Sequence, residues 1–124
     1  MKETLYSNKA PEPIGPYSQA IRIANLTFTS GQIALNREGV IVSTDIREQT
    51  KQVIENLKFI LEDNGSSLDS VIKTTVFLKD VNDFTQMNEI YSEYFSNSKP
   101  VRSTVEVAKL PKDAKIMIDA IAYR

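Results

Sequence analysis

The sequence contains no cysteine and no histidine, and these two absences exclude much of the common chemistry of small proteins. Without cysteine there is no disulfide framework, no thiolate zinc site and no thiol nucleophile, and the composition suits a reducing compartment. Without histidine the chain lacks the commonest general base near neutral pH and the commonest metal ligand. Any chemistry must therefore use carboxylates, tyrosine, arginine, backbone groups and water.

Long apolar runs are also absent. No stretch approaches the roughly 20 apolar residues of a membrane helix, and the first residues lack the apolar core of a signal peptide. We therefore expect a cytoplasmic protein with no membrane partner. The formal charge of −1, with lysine and arginine scattered along the chain, gives no reason to expect binding to nucleic acid.

What is present is the composition of an ordinary folded protein. The 124 residues are 41% hydrophobic and 25% charged, which argues against disorder. This length suits one core without metal or disulfide support, so we expect a single domain over residues 1–124.

The first part of the chain predicts a loop followed by a hairpin. Residues 10–17 contain three prolines and a glycine, which excludes a helix or an inner strand and favours a stiff extended loop. Residues 18–24 and 26–29 are typical of two short strands joined by a turn at Asn25.

A helix is predicted from Asp45 to Gly65. Asp45 has the character of an N-cap, and Glu48 follows three positions later, as in a capping box. Apolar residues at helical spacing mark one face. They are Ile46, Val53, Ile54, Leu57, Ile60 and Leu61.

The second half predicts a central strand, a second helix and two closing strands. Residues 71–79 are rich in β-branched residues and read as a strand that is apolar on both faces. The second helix begins near Asn82 or Asp83 and must end before Pro100. Its stripe is Phe84, Met87, Tyr91, Tyr94 and Phe95.

Strands at 102–107 and 115–123 complete an order β-β-α-β-α-β-β. In the last strand Ile116, Ile118, Ala120 and Ala122 share the face that suits packing under helices. The alternate residues mix apolar and charged types, and no third helix is available to cover them, so another copy of the chain is the simplest cover. They are Met117, Asp119, Ile121 and Tyr123.

Three motifs resemble the YjgF/YER057c/UK114 (RidA) family. They are IGPYSQ at residues 14–19, TSGQI at 29–33 and RSTVEVAKLPKD at 102–113, and VIKTTVFLKD at 71–80 with NDF at 82–84 adds to them. Their order and spacing also match, so the resemblance covers essentially the whole chain.

The resemblance implies an α+β, chorismate-mutase-like fold: a six-stranded, mostly antiparallel sheet with two helices on one face, assembled as a trimeric barrel with ligand clefts between subunits. Many members hydrolyse 2-imino acids, such as 2-iminobutanoate and 2-iminopropanoate, to 2-oxo acids and ammonia. No metal or organic cofactor is implied.

Arg102 is the first candidate for a ligand contact. Its planar fork is the best available partner for a carboxylate, although from the residues alone a surface ion pair is the ordinary role. The resemblance implies that Arg102 anchors the ligand carboxylate, assisted by the backbone at Thr104. The family often has cysteine where this chain has Thr104, and a backbone contact tolerates that change.

Tyr17 follows the proline-rich loop, and its hydroxyl is placed to hydrogen-bond an imine or oxo group. Packing is the commoner role for such a tyrosine, and a turn is the simplest interpretation of Ser30 and Gly31. The resemblance implies that all three contact ligand. Asn88 lies on the apolar side of the second helix, where its amide is satisfied either by backbone groups or, as the resemblance implies, beside the ligand cleft.

Met117 is the main departure from the family pattern. It aligns with the glutamate that deaminase members use to orient or activate water, and a thioether cannot take a proton. Asp119 points to the same face two residues later, roughly 6–7 Å along the strand, and is a possible substitute only if it reaches the cleft.

Two functional hypotheses remain open. The first is a deaminase of reactive 2-imino or enamine acids that uses Arg102 and Tyr17, and the second is a trimeric protein that binds 2-oxo acids without turnover. RNA cleavage, which has been attributed to some family members, is disfavoured by the low pI near 5.5 and the lack of histidine.

Overall fold

The first helix, α1, forms where the apolar spacing predicts it, and spans Ile46–Glu62. The Asp45 side chain caps it by accepting a hydrogen bond from the backbone N–H of Arg47 at 2.9 Å. All six predicted apolar residues of its inner face are buried. The helix ends three residues before Gly65, which has a φ of +81°.

The second helix, α2, spans Phe84–Phe95 and follows one 3₁₀ turn at Val81–Asp83. Met87, Tyr91 and Phe95 of the predicted stripe are buried against the sheet. No helix of the structure has the length and apolar character needed to cross a membrane.

The computed structural model describes residues 1–124 and contains a six-stranded sheet in the order β1-β2-β3-β6-β4-β5. Only β4 and β5 pair in parallel, because α2 connects them as a crossover. All other neighbours are antiparallel. The strands are Glu3–Leu5 (β1), Ala20–Ile23 (β2), Leu26–Thr29 (β3), Val71–Leu78 (β4), Val101–Glu106 (β5) and Ile116–Tyr123 (β6).

The alternation predicted for the last strand is confirmed. Ile116, Ile118, Ala120 and Ala122 are buried beneath the helices. The opposite face of the sheet carries no helix, and Tyr123 on that face is 50% exposed. Apolar side chains therefore remain open there on several strands, among them Ile23, Leu26, Phe28, Val101 and Val105.

The ends of the predicted sheet needed correction. Residues 18–24 shorten to Ala20–Ile23, because Ser18 and Gln19 accept hydrogen bonds from Ser30 outside the regular ladder. The edge strand Glu3–Leu5 was not recognised from its own residues, since three residues are too few to show an alternating pattern.

Candidate functional site

Arg102 lies on β5, on the face of the sheet that the helices cover. Its Nη1 donates a hydrogen bond to Asn88 Oδ1 on α2 at 2.7 Å. The guanidinium carbon also stands 4.7 Å from the ring centre of Tyr91 and 5.4 Å from that of Phe84. Both distances suit a cation–π contact, so one amide and two aromatic rings orient this half-buried cation.

No carboxylate pairs with Arg102. The four ion pairs of the structure all involve other cations. The surface ion pair that the residues alone suggested is therefore wrong. The guanidinium instead opens onto a cavity of about 420 Å³ that contains lysine but no acidic residue. An unpaired, oriented arginine of this kind has donors free for an anionic ligand.

The other predicted contacts meet in a second, larger cavity of about 790 Å³. Tyr17, Ser30, Gly31 and Met117 all line it, together with apolar side chains such as Ile33. Its volume falls within the usual range of small-molecule sites. The residues that the sequence assigned to one site therefore occupy two places in one chain.

Gln19 fixes the proline-rich loop that forms one wall of the larger cavity. The buried Gln19 amide accepts from the Ser7 N–H at 2.7 Å and donates to the carbonyls of Ser7 and Pro11 at 3.1 and 3.0 Å. The loop then turns at Gly15, whose φ of +113° favours glycine, and the Tyr17 N–H bonds to the Gly15 carbonyl at 2.9 Å. These bonds fix the backbone that carries Tyr17, although Tyr17 itself is 53% exposed.

Gly31 and Met117 form the opposite wall and are held in register by a backbone bridge. Gln32 and Ile118 exchange two N–H···O bonds of 2.9 and 3.1 Å. Ser30 is fixed as well, because its N–H bonds to the Gln19 carbonyl at 2.9 Å and its hydroxyl donates to the Ser18 carbonyl. The backbone that the resemblance associates with ligand is thus rigidly tied to β6 and to the loop.

Glu12 is a cavity residue that the sequence interpretation missed. It lies between Pro11 and Pro13 and is the single carboxylate in the wall of the larger cavity. Its Oε1 accepts a hydrogen bond from the Tyr6 hydroxyl, and this bond raises the pKa of Tyr6. The sequence does carry a signal for Glu12 as a candidate site residue, because a glutamate between two prolines lies in a stiff loop.

Asp119 and Thr104 line neither cavity. Asp119 faces the same side of β6 as Met117 but lies opposite Thr75 of β4. Burial raises the pKa of Asp119, while hydrogen bonds from Thr75 and the charge of Lys73 oppose that effect. The Thr104 hydroxyl is buried without a hydrogen-bond partner, two residues after Arg102 on the same face of β5.

The two cavities share no residue. Thr74 of β4 pairs with Arg102 of β5 on one side and with Ala120 of β6 on the other. Arg102 is therefore two strands away from β6, and Met117 lies three residues further along β6. That separation corresponds to roughly 14 Å between their Cα atoms, and the two side chains leave opposite faces. No group of three or more carboxylates is arranged to hold a metal ion.

The sheet of this strand order, with two helices on one face, makes the chain a small α+β protein, and known proteins match essentially its whole length. The chain is 60% identical over 124 residues to a RutC family protein of Pyrococcus abyssi, covering 99% of this chain and 98% of that protein. It is 44% identical to the 2-iminobutanoate/2-iminopropanoate deaminase of Escherichia coli K12, covering 100% and 99%. The crystal structure of Escherichia coli TdcF with bound serine superposes with a TM-score of 0.92 at 41% identity, covering 98% of each chain.

The family model described as Endoribonuclease L-PSP matches residues 7–124. The chain therefore belongs to this family, which is the YjgF/RidA family of the predicted resemblance. The predicted α+β fold, a six-stranded sheet with two helices, is confirmed with it.

Proposed function

We propose that the protein hydrolyses reactive 2-imino or enamine acids to 2-oxo acids and ammonia. The observation that carries the proposal is the oriented Arg102 guanidinium, which has no carboxylate partner within the chain. A relative 44% identical over its whole length is named as such a deaminase. The bound serine of TdcF supports a small carboxylate-bearing ligand for this fold.

The active cleft lies between subunits of a homotrimer. Arg102 and Asn88 come from one subunit, and Tyr17, Ser30, Gly31 and Met117 come from its neighbour. This arrangement accounts for the separation of roughly 14 Å within one chain. It also accounts for the uncovered apolar face of the sheet, since Phe28 and Tyr123 are 39% and 50% exposed in a single copy.

Each side chain then has a defined role. Arg102 holds the substrate carboxylate through paired N–H donors of its guanidinium, and Asn88 keeps the guanidinium in place. The backbone near Thr104 assists at the carboxylate. The Tyr17 hydroxyl, with the backbone of Ser30 and Gly31, orients the imine so that water attacks its carbon.

Turnover of a freshly released imine tests this proposal. A threonine dehydratase supplies 2-iminobutanoate, and formation of 2-oxobutanoate is followed with and without the protein. The wild type is expected to accelerate the step, and Arg102→Ala is expected to remove the acceleration. Arg102→Lys is the matched control for charge, because it keeps the cation but loses the planar fork. Equal rates for wild type and Arg102→Ala would rule the proposal out.

A second candidate function is binding without turnover, and Met117 is the observation that favours it. A thioether stands in the cavity wall where deaminase members of the family have a glutamate. In that case 2-oxobutanoate binds saturably, Arg102→Ala abolishes binding, and turnover is negligible. Met117→Glu separates the two functions, because a large gain of deaminase activity from a nearly inactive wild type favours the binding role.

We do not extend the ribonuclease activity in the family model's description to this chain. The net charge is −1 and there is no histidine. A nuclease activity that copurifies with the protein and persists in Arg102→Ala would contradict this position.

A further inference from the structure

Glu12 combines three properties that a catalytic carboxylate needs: location, rigidity and a free oxygen. It is the single acidic residue among those that line the larger cavity, which also contains Tyr17 and Gly31. The alternative carboxylate, Asp119, is absent from that wall and faces Thr75 of the neighbouring strand. Only Glu12 therefore stands beside the groups proposed to hold the imine.

The position of Glu12 is set by its neighbours. Pro11 and Pro13 restrict the backbone on both sides, and the Pro11 carbonyl accepts a hydrogen bond from the buried Gln19 amide at 3.0 Å. The Tyr6 hydroxyl donates to Oε1 of the carboxylate. One carboxylate oxygen is thus occupied and oriented, while Oε2 has no partner within the chain and is free to accept a proton.

We propose that Glu12 is the general base that activates the hydrolytic water, supplying the carboxylate that Met117 does not. This role rests on the deaminase function proposed above. Glu12 lies on the loop and Met117 on β6, so the same cavity receives its carboxylate from a different element of the fold.

Glu12 carries every proton that moves during the hydrolysis and ends as the carboxylate. Glu12 takes a proton from water as the water oxygen bonds to the carbon of the protonated imine, and the C=N electron pair moves to nitrogen to give a carbinolamine. Protonated Glu12 returns the proton to this amine nitrogen. The C–N bond then breaks with its electrons on nitrogen, ammonia leaves, and the hydroxyl gives up its proton to Glu12 as the C=O bond forms. A final proton transfer from Glu12 to ammonia yields ammonium and restores the carboxylate.

The test compares kcat and its pH profile for Glu12→Gln, Glu12→Asp and Tyr6→Phe, with dehydratase in excess at each pH. Glu12→Gln is expected to lower kcat by about 10²-fold, the low end of what a general base contributes, and to remove the acid limb of the profile. Glu12→Asp recovers part of the rate. Tyr6→Phe is expected to lower kcat by less than Glu12→Gln, because it keeps the carboxylate but removes the hydroxyl that orients Oε1.

Glu62→Gln is the matched control, since it removes the same charge at the exposed end of α1 and is expected to leave kcat unchanged. Binding of 2-oxobutanoate by Glu12→Gln should equal that of wild type, which shows that the cavity is intact. A Glu12→Gln protein with wild-type kcat and pH profile overturns the role of Glu12 while the deaminase function stands. Loss of binding together with turnover also overturns it, because Glu12 would then only support the cavity. A wild type no faster than Arg102→Ala removes both proposals.

Discussion

The side chain of Met117 lies directly across Gly31. A Cβ placed on Gly31 would come within 2.7 Å of Met117 Sδ, 2.9 Å of Cγ and 3.2 Å of Cε. The first two distances are shorter than real Cβ contacts, so an alanine at position 31 would force the Met117 side chain to shift. The thioether thereby forms the surface of the larger cavity at this point, and residue 117 determines what a ligand meets there.

Gly31→Ala is predicted to destabilise the fold by about 1–3 kcal/mol, the usual cost of overpacking. Met117→Ala in the same chain removes the obstructing atoms, so the double variant should recover most of that loss. Urea denaturation of the two single variants and the double variant gives the coupling free energy, expected at about 1 kcal/mol or more. Strictly additive effects would show that the two residues do not compete for this space.

Asn88 is predicted to control ligand affinity through Arg102. Asn88→Ala removes the acceptor of the 2.7 Å bond and should weaken 2-oxobutanoate binding by about tenfold. Asn88→Asp has nearly the same shape but places a carboxylate beside the guanidinium, where it competes with the ligand. Calorimetric titration should therefore rank the affinities as wild type, then alanine, then aspartate. An aspartate variant that binds as well as wild type would mean that the ligand carboxylate does not use Arg102.

The sequence predicted those parts of the fold in which periodicity carries the information. The apolar spacing after Asp45 defines α1, and the alternation along residues 115–123 defines both faces of β6. The site was less accessible, because polar loop residues have no period. The bond between Tyr6 and Glu12 and the bonds of Gln19 depend on how the loop folds back, and no spacing rule indicates them. Motif resemblance identified the candidate contacts, but their division between two cavities follows only from the sheet order.

Gln19→Ala is predicted to lower the free energy of unfolding by about 2 kcal/mol or more. The substitution leaves the Ser7 N–H and the Ser7 and Pro11 carbonyls without their buried partner. The loop at residues 10–17 should also become more sensitive to limited proteolysis, which thermal unfolding alone would not reveal. Gln86→Ala is the matched control, because Gln86 is exposed on α2 and its loss should change stability by no more than about 0.5 kcal/mol. Equal stability of the two variants would argue against the anchoring role of Gln19.

Asp119 is predicted to make the protein less stable as the pH rises. Burial raises its pKa in the folded state, so above the ordinary carboxyl pKa the folded chain binds more protons than the unfolded chain. Its unfavourable effect on stability therefore develops between the ordinary pKa and the raised folded pKa, and remains at higher pH. Asp119→Asn should gain stability relative to wild type when unfolding is measured from about pH 3 to about pH 7.

Asp113→Asn provides a control of opposite sign. Lys79 lowers the pKa of Asp113, so the favourable contribution of this carboxylate is present above its ordinary pKa and is lost as the pH falls. Asp113→Asn should therefore be less stable than wild type near neutral pH and similar to it in acid. If both asparagine variants deviated from wild type in the same direction with pH, the folded-state pKa of Asp119 could not be raised by its burial.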